Sequence, residues 1–188
     1  NQFHDLQMFG QPIILDNKKD AIKLRPHWQY HIKRCGKRRA RLCCNGSKQA
    51  SPLLHKLTLT YSSCVEHPVQ RLFFAIAASL DLKVYGGDAK DAYAHSPGPE
   101  LPTYMTIDDA FAEWYQDKFN IKLDRRSQVL PVLRALQGHP ESGRLWEMHI
   151  NSILKCPELN FKSTTHDKTI YKGTFDGETV YLLRQVDD

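Results

Sequence analysis

Two adjacent carboxylates, Asp187 and Asp188, follow the apolar, strand-like run 179–186, and a third, Asp88, follows a second such run at 82–87. Two strands that each deliver acid at a C-terminal tip can gather three carboxylates in one place. Such a group binds paired divalent cations, the apparatus of nucleotidyl transfer. An isolated Asp pair more often forms a turn or caps a helix, and Asp108-Asp109 in the same chain is read that way. The chemistry therefore depends on the elements that would bring Asp88 to Asp187 and Asp188.

The hydrophobic pattern predicts a mixed α and β chain. The runs 28–32 and 40–44 read as two strands joined by a tight turn around Gly36. Pro68 opens a segment through Leu80 that is apolar on nearly every side and is expected to be a buried helix. The run 83–87 follows as a core strand ended by Gly86-Gly87. Asp108-Asp109 start an amphipathic helix through Phe111, Trp114, Tyr115 and Phe119, with acid at the end the helix dipole favours. Pro140 starts another, with Trp146, Ile150, Ile153 and Leu154 at helical spacing as core residues. Asp176-Gly177, between the runs 170–175 and 178–186, is the strongest short hairpin signal in the chain.

Charge is unevenly distributed. Residues 1–50 hold 11 Lys/Arg against 3 Asp/Glu, whereas 51–188 hold 15 against 18. Lys33-Arg34 and the K-R-R-A-R run 37–41 flank Cys35-Gly36, with Trp28 and Tyr30 just before. A basic hairpin with aromatics suits a phosphate backbone or a triphosphate. A solvated basic face is the alternative, weakened because Ile32, Leu42 and Cys43 alternate with the cations.

At 188 residues, 41% hydrophobic and 25% charged, the composition is that of a globular chain able to form one core or a core and a small subdomain. The longest apolar stretch, near 72–80, is too short to span a bilayer, and the amino terminus lacks a signal-peptide profile. The chain reads as part of a longer soluble, intracellular protein, in a cytoplasmic particle or the nucleus and not secreted. Five cysteines, an odd number without a C-x-x-C pair, suit a reducing compartment and argue against structural zinc. Of Cys43 and Cys44, one side chain is expected to face the core.

In order along the chain stand a basic hairpin, a buried helix, a D-x-x-x-A-Y segment, a G-x-x-x-S-G-R-x-W helix start and V-D-D. That order resembles the reverse transcriptase domain of copia-type long-terminal-repeat retrotransposons, from about Leu24 to Asp188. Trp28 and the R-A-R-L run 39–42 resemble the family's W-x-x-K segment and K-A-R-L strand. The run 61–69, Y-S-S-C-V-E-H-P-V, resembles Y-x-x-x-F-A-P-V. The run 88–93, D-A-K-D-A-Y, with Tyr104-Met105 downstream, resembles D-V-K-T-A-F and its trailing I-Y-M. The run 136–146, L-Q-G-H-P-E-S-G-R-L-W, matches L-Y-G-L-K-Q-S-P-R-A-W without a gap at Leu, Gly, Ser, Arg and Trp. Gln185 to Asp188 resembles the Y-V-D-D box, with Gln185 in place of the Tyr ring that would contact the primer end.

The resemblance implies an α+β polymerase fingers–palm fold, its antiparallel palm sheet packed on helices and the chain truncated before the thumb. Residues 1–68 would form a fingers-like basic segment and 69–188 a palm with inserted fingers helices. The implied activity is RNA-directed DNA polymerase, a nucleotidyltransferase adding dNTPs to a primer on an RNA or DNA template. Asp88, Asp187 and Asp188 would hold two Mg²⁺ ions, with Mn²⁺ as a substitute. Backbone amides near Lys90 and Asp91 would meet the triphosphate, and Tyr93 would lie beneath the incoming sugar, core packing being its alternative. Arg41 is the expected triphosphate contact, with Arg39 or Arg38 if the register shifts. Gln137 and Gly138 would line the nucleotide and template pocket. Other domains of a parent polyprotein are expected partners and a membrane is not; alone, the 188 residues are expected to bind nucleic acid weakly and extend primers poorly or not at all.

Two rivals carry different expectations. A noncatalytic nucleic-acid-binding remnant would keep the fingers and bind in a strongly salt-dependent way without metal-dependent extension. A metal-dependent hydrolase would want a His beside its acids; His95, His139 and His166 are available, and a surface position is the commoner role for each.

Overall fold

The computed structural model describes residues 5–15 and 21–186. In chain order these form β1 (Ile13–Ile14), β2 (Ile22–Leu24), β3 (Pro26–Ile32), β4 (Arg38–Cys44), a 3-10 turn (Pro52–Lys56), α1 (His67–Ser79), α2 (Ala92–His95), β5 (Thr103–Thr106), α3 (Asp109–Phe119), β6 (Gln128–Pro131), α4 (Ser142–Leu154), β7 (Lys162–Ser163), β8 (Ile170–Phe175) and β9 (Glu178–Leu183). Three sheets result: β1-β6-β5-β2, the hairpin β3-β4, and β7-β8-β9. The four-stranded sheet is mixed rather than antiparallel throughout, because β2 runs parallel to β5.

Both predicted hairpins form. In β3-β4 every residue from Pro26 to Ile32 pairs across the ladder, and Gly36 turns the chain at φ +79°, a conformation a glycine adopts without strain. In β8-β9, Asp176 (φ 49°) and Gly177 (φ 81°) form the two-residue loop whose twist matches the strands. The second strand ends at Leu183, short of Val186.

The main core is built where β2, β5 and the root of β4 meet the turns around them. Ile22, Leu24, Leu42, Leu54, Met105 and Leu136 are buried there. Cys43 and Cys44 are both buried, and of the two only Cys44 joins the main core, as expected of neighbours on a strand. Burial pushes the Cys44 thiol up to about 12, with Cys43 beside it adding to the effect, which leaves Cys44 a small packing residue and no nucleophile. A second cluster joins Ile107, Tyr115, Leu123 and Leu130, and a third joins Leu154, Phe161 and Tyr171 between α4 and β8-β9.

Helix α3 begins as its sequence predicts. Asp108 is its cap: Oδ1 accepts the Phe111 amide at 2.8 Å, and Oδ2 accepts the Trp28 indole N–H at 2.8 Å. One carboxylate thus closes a helix end and ties the basic hairpin to it. Asn120 ends the helix in the left-handed region at φ 54°.

Two predicted elements differ. Helix α1 forms, but only Ala77 is buried; Leu72, Phe74, Ile76 and Leu80 are exposed. Residues 82–89 have no regular structure, and Leu82, Val84 and Tyr85 face solvent. An apolar run becomes a core strand only if another strand supplies its hydrogen bonds, and no described strand lies alongside.

His139 overturns the surface assignment. It is buried, its Nε2 has no partner among the described residues, and its Nδ1 accepts the Glu141 amide at 3.3 Å. Burial alone pulls its pKa down to about 4, so it is neutral at pH 7.

Two consequences can be measured. Asp108→Ala removes a cap and a side-chain bond together, and urea unfolding should show a loss of about 2 kcal/mol with a change in Trp fluorescence. For His139, the unfolded chain takes up a proton below about pH 6.5 and the folded chain only near 4. Stability should therefore fall as pH falls from 6.5 to 4, by up to about 3 kcal/mol. His139→Gln should flatten that slope in urea titrations across the window.

Candidate nucleic-acid interface and acid site

The β3-β4 ladder sorts its side chains by parity. His31 pairs with Arg39, Gln29 with Arg41 and His27 with Cys43, so two guanidiniums, two imidazoles and an amide share one face. The other face carries Trp28, Tyr30 and Ile32 opposite Leu42, Ala40 and Arg38. Arg39 and Arg41 are exposed, and at strand spacing they stand about 7 Å apart. Lys33, Arg34 and Lys37 extend the charge to the tip, where the Lys33 amide donates to Lys37 O at 2.9 Å. On the opposite face the Trp28 and Tyr30 rings lie nearly parallel, with centroids 6.4 Å apart.

The root of this hairpin meets Gln137 and Gly138. The Cys44 amide donates to the Gln137 carbonyl at 2.8 Å. Gly138 has φ +91°, and a Cβ there would lie 2.2 Å from the Cys44 carbonyl oxygen. No other residue type fits without moving the strand. Two residues selected by a motif are thereby fixed at the base of the strand that carries Arg39 and Arg41, although about ninety positions separate them in the chain.

The acids are less gathered. Asp88 is exposed on the irregular segment 82–89, not at a strand tip as expected. Lys90 and Asp91 line a cavity of about 430 Å³ with Asp5, Leu6 and His95. Asp91 sits in the left-handed region at φ 55° and precedes α2. Tyr93 lies on that single helical turn and is half-buried, so strand alternation does not set its direction. Asp187 and Asp188 lie outside the described residues. Among the described residues, no three His, Cys, Asp or Glu side chains are arranged to hold a metal. Asp88 offers a hard oxygen donor of the kind Mg²⁺ prefers, and one such donor is not a site.

His95 of α2 and His149 of α4 lie near each other and near Arg134. Burial lowers the pKa of His149, and His95 and Arg134 nearby lower it further. A cavity of about 900 Å³ lies elsewhere, walled by Trp28, Phe111, Trp114, Tyr115 and Leu130. None of the residues assigned to chemistry lines it except through Trp28's place on the hairpin.

Several polar residues that organise this region escape motif reading. Glu141 is fully buried and accepts the Glu100 amide at 3.3 Å. Arg144 joins it to the Glu100 carboxylate, bonding Glu141 Oε1 at 3.2 Å. Those acids raise the Arg144 pKa, the Glu100 bond most. Arg184 is buried against Glu147, its Nη2 donating to Oε1 at 3.0 Å. Gln185, where the family pattern has Tyr, donates from Nε2 to Cys64 Sγ at 3.3 Å. Glu141, Arg144 and Gln185 lay within the quoted motifs without their partners being legible there, and Glu147 and Arg184 carried no signal; charges paired across tens of residues leave no local pattern.

No helix among the described residues is long and apolar enough to cross a membrane. No family model and no solved structure matches this chain. Over 193 residues it is 25% identical to the retrovirus-related Pol polyprotein from transposon TNT 1-94 of Nicotiana tabacum. The alignment takes in 100% of this chain and 14% of that polyprotein, so the chain spans about one seventh of its relative's length. This similarity supports an origin in a transposon's retrovirus-related Pol polyprotein.

Proposed function

We propose that the chain is the fingers–palm portion of a reverse transcriptase within such a polyprotein, with RNA-directed DNA polymerase chemistry. The observation that carries this reading is the seating of Gln137-Gly138 against the root of the hairpin that presents Arg39 and Arg41. A nucleotide-binding turn and a phosphate-binding strand need a fixed separation, and a backbone contact at a Cβ-intolerant glycine supplies it.

In this reading Arg41 and Arg39 bind phosphate through paired guanidinium N–H donors. Lys90 and Asp91 meet the triphosphate from the α2 side, and Tyr93 contacts the sugar. The hairpin belongs to a fingers segment within 1–68, and 69–188 belong to the palm. Asp88, Asp187 and Asp188 are the donors for Mg²⁺, which when bound supplies charge neutralisation on the triphosphate and an activated primer hydroxyl. Template, primer, dNTPs and neighbouring polyprotein domains are the partners.

A second reading, a noncatalytic nucleic-acid-binding remnant, is favoured by the exposed, irregular setting of Asp88. Both readings need the hairpin, and only the first needs the acids.

Two measurements separate them. Anisotropy titration of a primer–template from 50 to 200 mM KCl should give steeply salt-dependent binding, and Arg39→Ala/Arg41→Ala should lower the slope of log K against log salt by about 2 without altering sequence preference. An unchanged slope would place the phosphate contact elsewhere. Mg²⁺-dependent primer extension by a longer parent chain should be lost in Asp187→Asn. Equal extension by both proteins rules out the acid assignment, and no extension by either leaves the binding remnant as the function.

A further inference from the structure

The hairpin β3-β4 has two faces of different chemistry, and the phosphate contacts proposed for Arg39 and Arg41 use one of them. The opposite face carries Trp28, Tyr30 and Ile32 of β3, with Leu42, Ala40 and Arg38 across from them. Trp28 is half-buried, its indole N–H fixed on Asp108 Oδ2 at 2.8 Å. Two residues further out, Tyr30 is 77% exposed, and Ile32 beyond it is 67% exposed. The Tyr30 ring lies within 17° of parallel to the Trp28 ring, with centroids 6.4 Å apart. An anchored indole therefore orients a phenol that faces solvent. Around these rings the charge is of one sign: residues 26–44 contain six Lys/Arg and no Asp or Glu.

Hairpin stability alone does not account for this face. Aromatic and β-branched residues favour strands because they pack against cross-strand neighbours. Here Tyr30 pairs with Ala40 and Ile32 with Arg38, so neither finds a large apolar side chain across the ladder. The single methyl of Ala40 leaves the space beside the Tyr30 ring open. Arg38 is the diagonal neighbour of Tyr30, and diagonal neighbours in an antiparallel pair stand about 7–8 Å apart. A flat ring and, one step along, a guanidinium match the two things a nucleotide of a single strand offers, a π-face and a phosphate. In a duplex the base faces are stacked on each other, and such a ring has nothing to meet.

We infer that Tyr30 and Arg38 form a stacking site for unpaired bases on the face of the hairpin opposite Arg39 and Arg41. The hairpin then holds single-stranded nucleic acid by base as well as by phosphate, and it does so without reading sequence, because every base has a π-face. The inference rests on the nucleic-acid reading of the hairpin; it needs neither the acids nor polymerase activity.

The test measures binding by the full 188-residue chain through fluorescence anisotropy, with three labelled probes: an oligothymidine strand, an abasic strand of the same length, and a DNA duplex. Tyr30→Ala should weaken binding of the thymidine strand about tenfold, and Tyr30→Phe, which keeps the ring, should bind it as wild type does. No charge is lost in Tyr30→Ala, so its slope of log K against log salt should match wild type, whereas Arg38→Ala should lower the slope by about 0.7. Affinity for the abasic strand and for the duplex should be the same in Tyr30→Ala and wild type, since neither probe presents a free base face. An equal loss on all three probes would make Tyr30 a support of the hairpin and overturn the stacking site. No loss on any probe also overturns it, and leaves the face to a protein partner. If the Tyr30 pattern holds while Arg39→Ala/Arg41→Ala leaves the salt slope unchanged, the phosphate assignment fails and the stacking site stands. Absence of wild-type binding to every probe defeats both.

Discussion

The contact between the Gln137-Gly138 turn and Cys44 is the constraint on which the rest of the arrangement depends. A seven-residue-a-side hairpin with a solvated cationic face has little apolar area of its own to hold it. Its outer half, with Tyr30 77% and Ile32 67% exposed, contributes almost no burial. What anchors it is its root: Leu42 and Cys44 in the main core, the Cys44 amide on Gln137 O, and Trp28 on the Asp108 cap. These contacts come from both sides of the strand pair. The hairpin can present Arg39 and Arg41 at a fixed distance from the 137–138 turn because neither side of its root is free to slide.

Much of the fold was legible because its signals are local. Gly36 and Asp176-Gly177 call for a positive φ between strands of period two, and the structure uses them so. Asp108-Asp109 before an apolar stripe marks a helix start, and the cap bond is there. The misread elements are those whose fate is decided by a neighbour. The run 82–87 has strand composition, but composition supplies no hydrogen-bond partner. Helix α1 is apolar all round, which in isolation reads as buried; here its phenylalanines meet each other edge to face, 5.7 Å apart, and much of the rest meets water.

The candidate site divides along the same line. Gln137, Gly138, Arg39 and Arg41 were found by motif, and backbone geometry then joined them. Glu147 and Arg184 carried no such sign, because an ion pair across 37 positions is invisible until the chain folds. His139 misled for the opposite reason: a titratable residue in a polar loop reads as surface, whereas the turn that seats Gly138 against Cys44 also draws the next residue inside. The same tight geometry that makes 137–138 a useful turn thus imposes a neutral imidazole beside it.

Rigidity is distributed unequally between the two halves of the proposed chemistry. Phosphate recognition needs charge at a distance, and an exposed strand with long side chains tolerates small errors because guanidinium groups swing to meet their ligand. Metal binding by carboxylates does not, since short Asp side chains transmit every backbone displacement to the cation. Around residues 184–186 the main chain is held directly, by the Trp146 indole on the Val186 carbonyl and by the Arg184 amide on Thr169 O, while the buried Arg184–Glu147 ion pair joins side-chain tips. Asp88 has no equivalent hold, standing on a segment without regular structure.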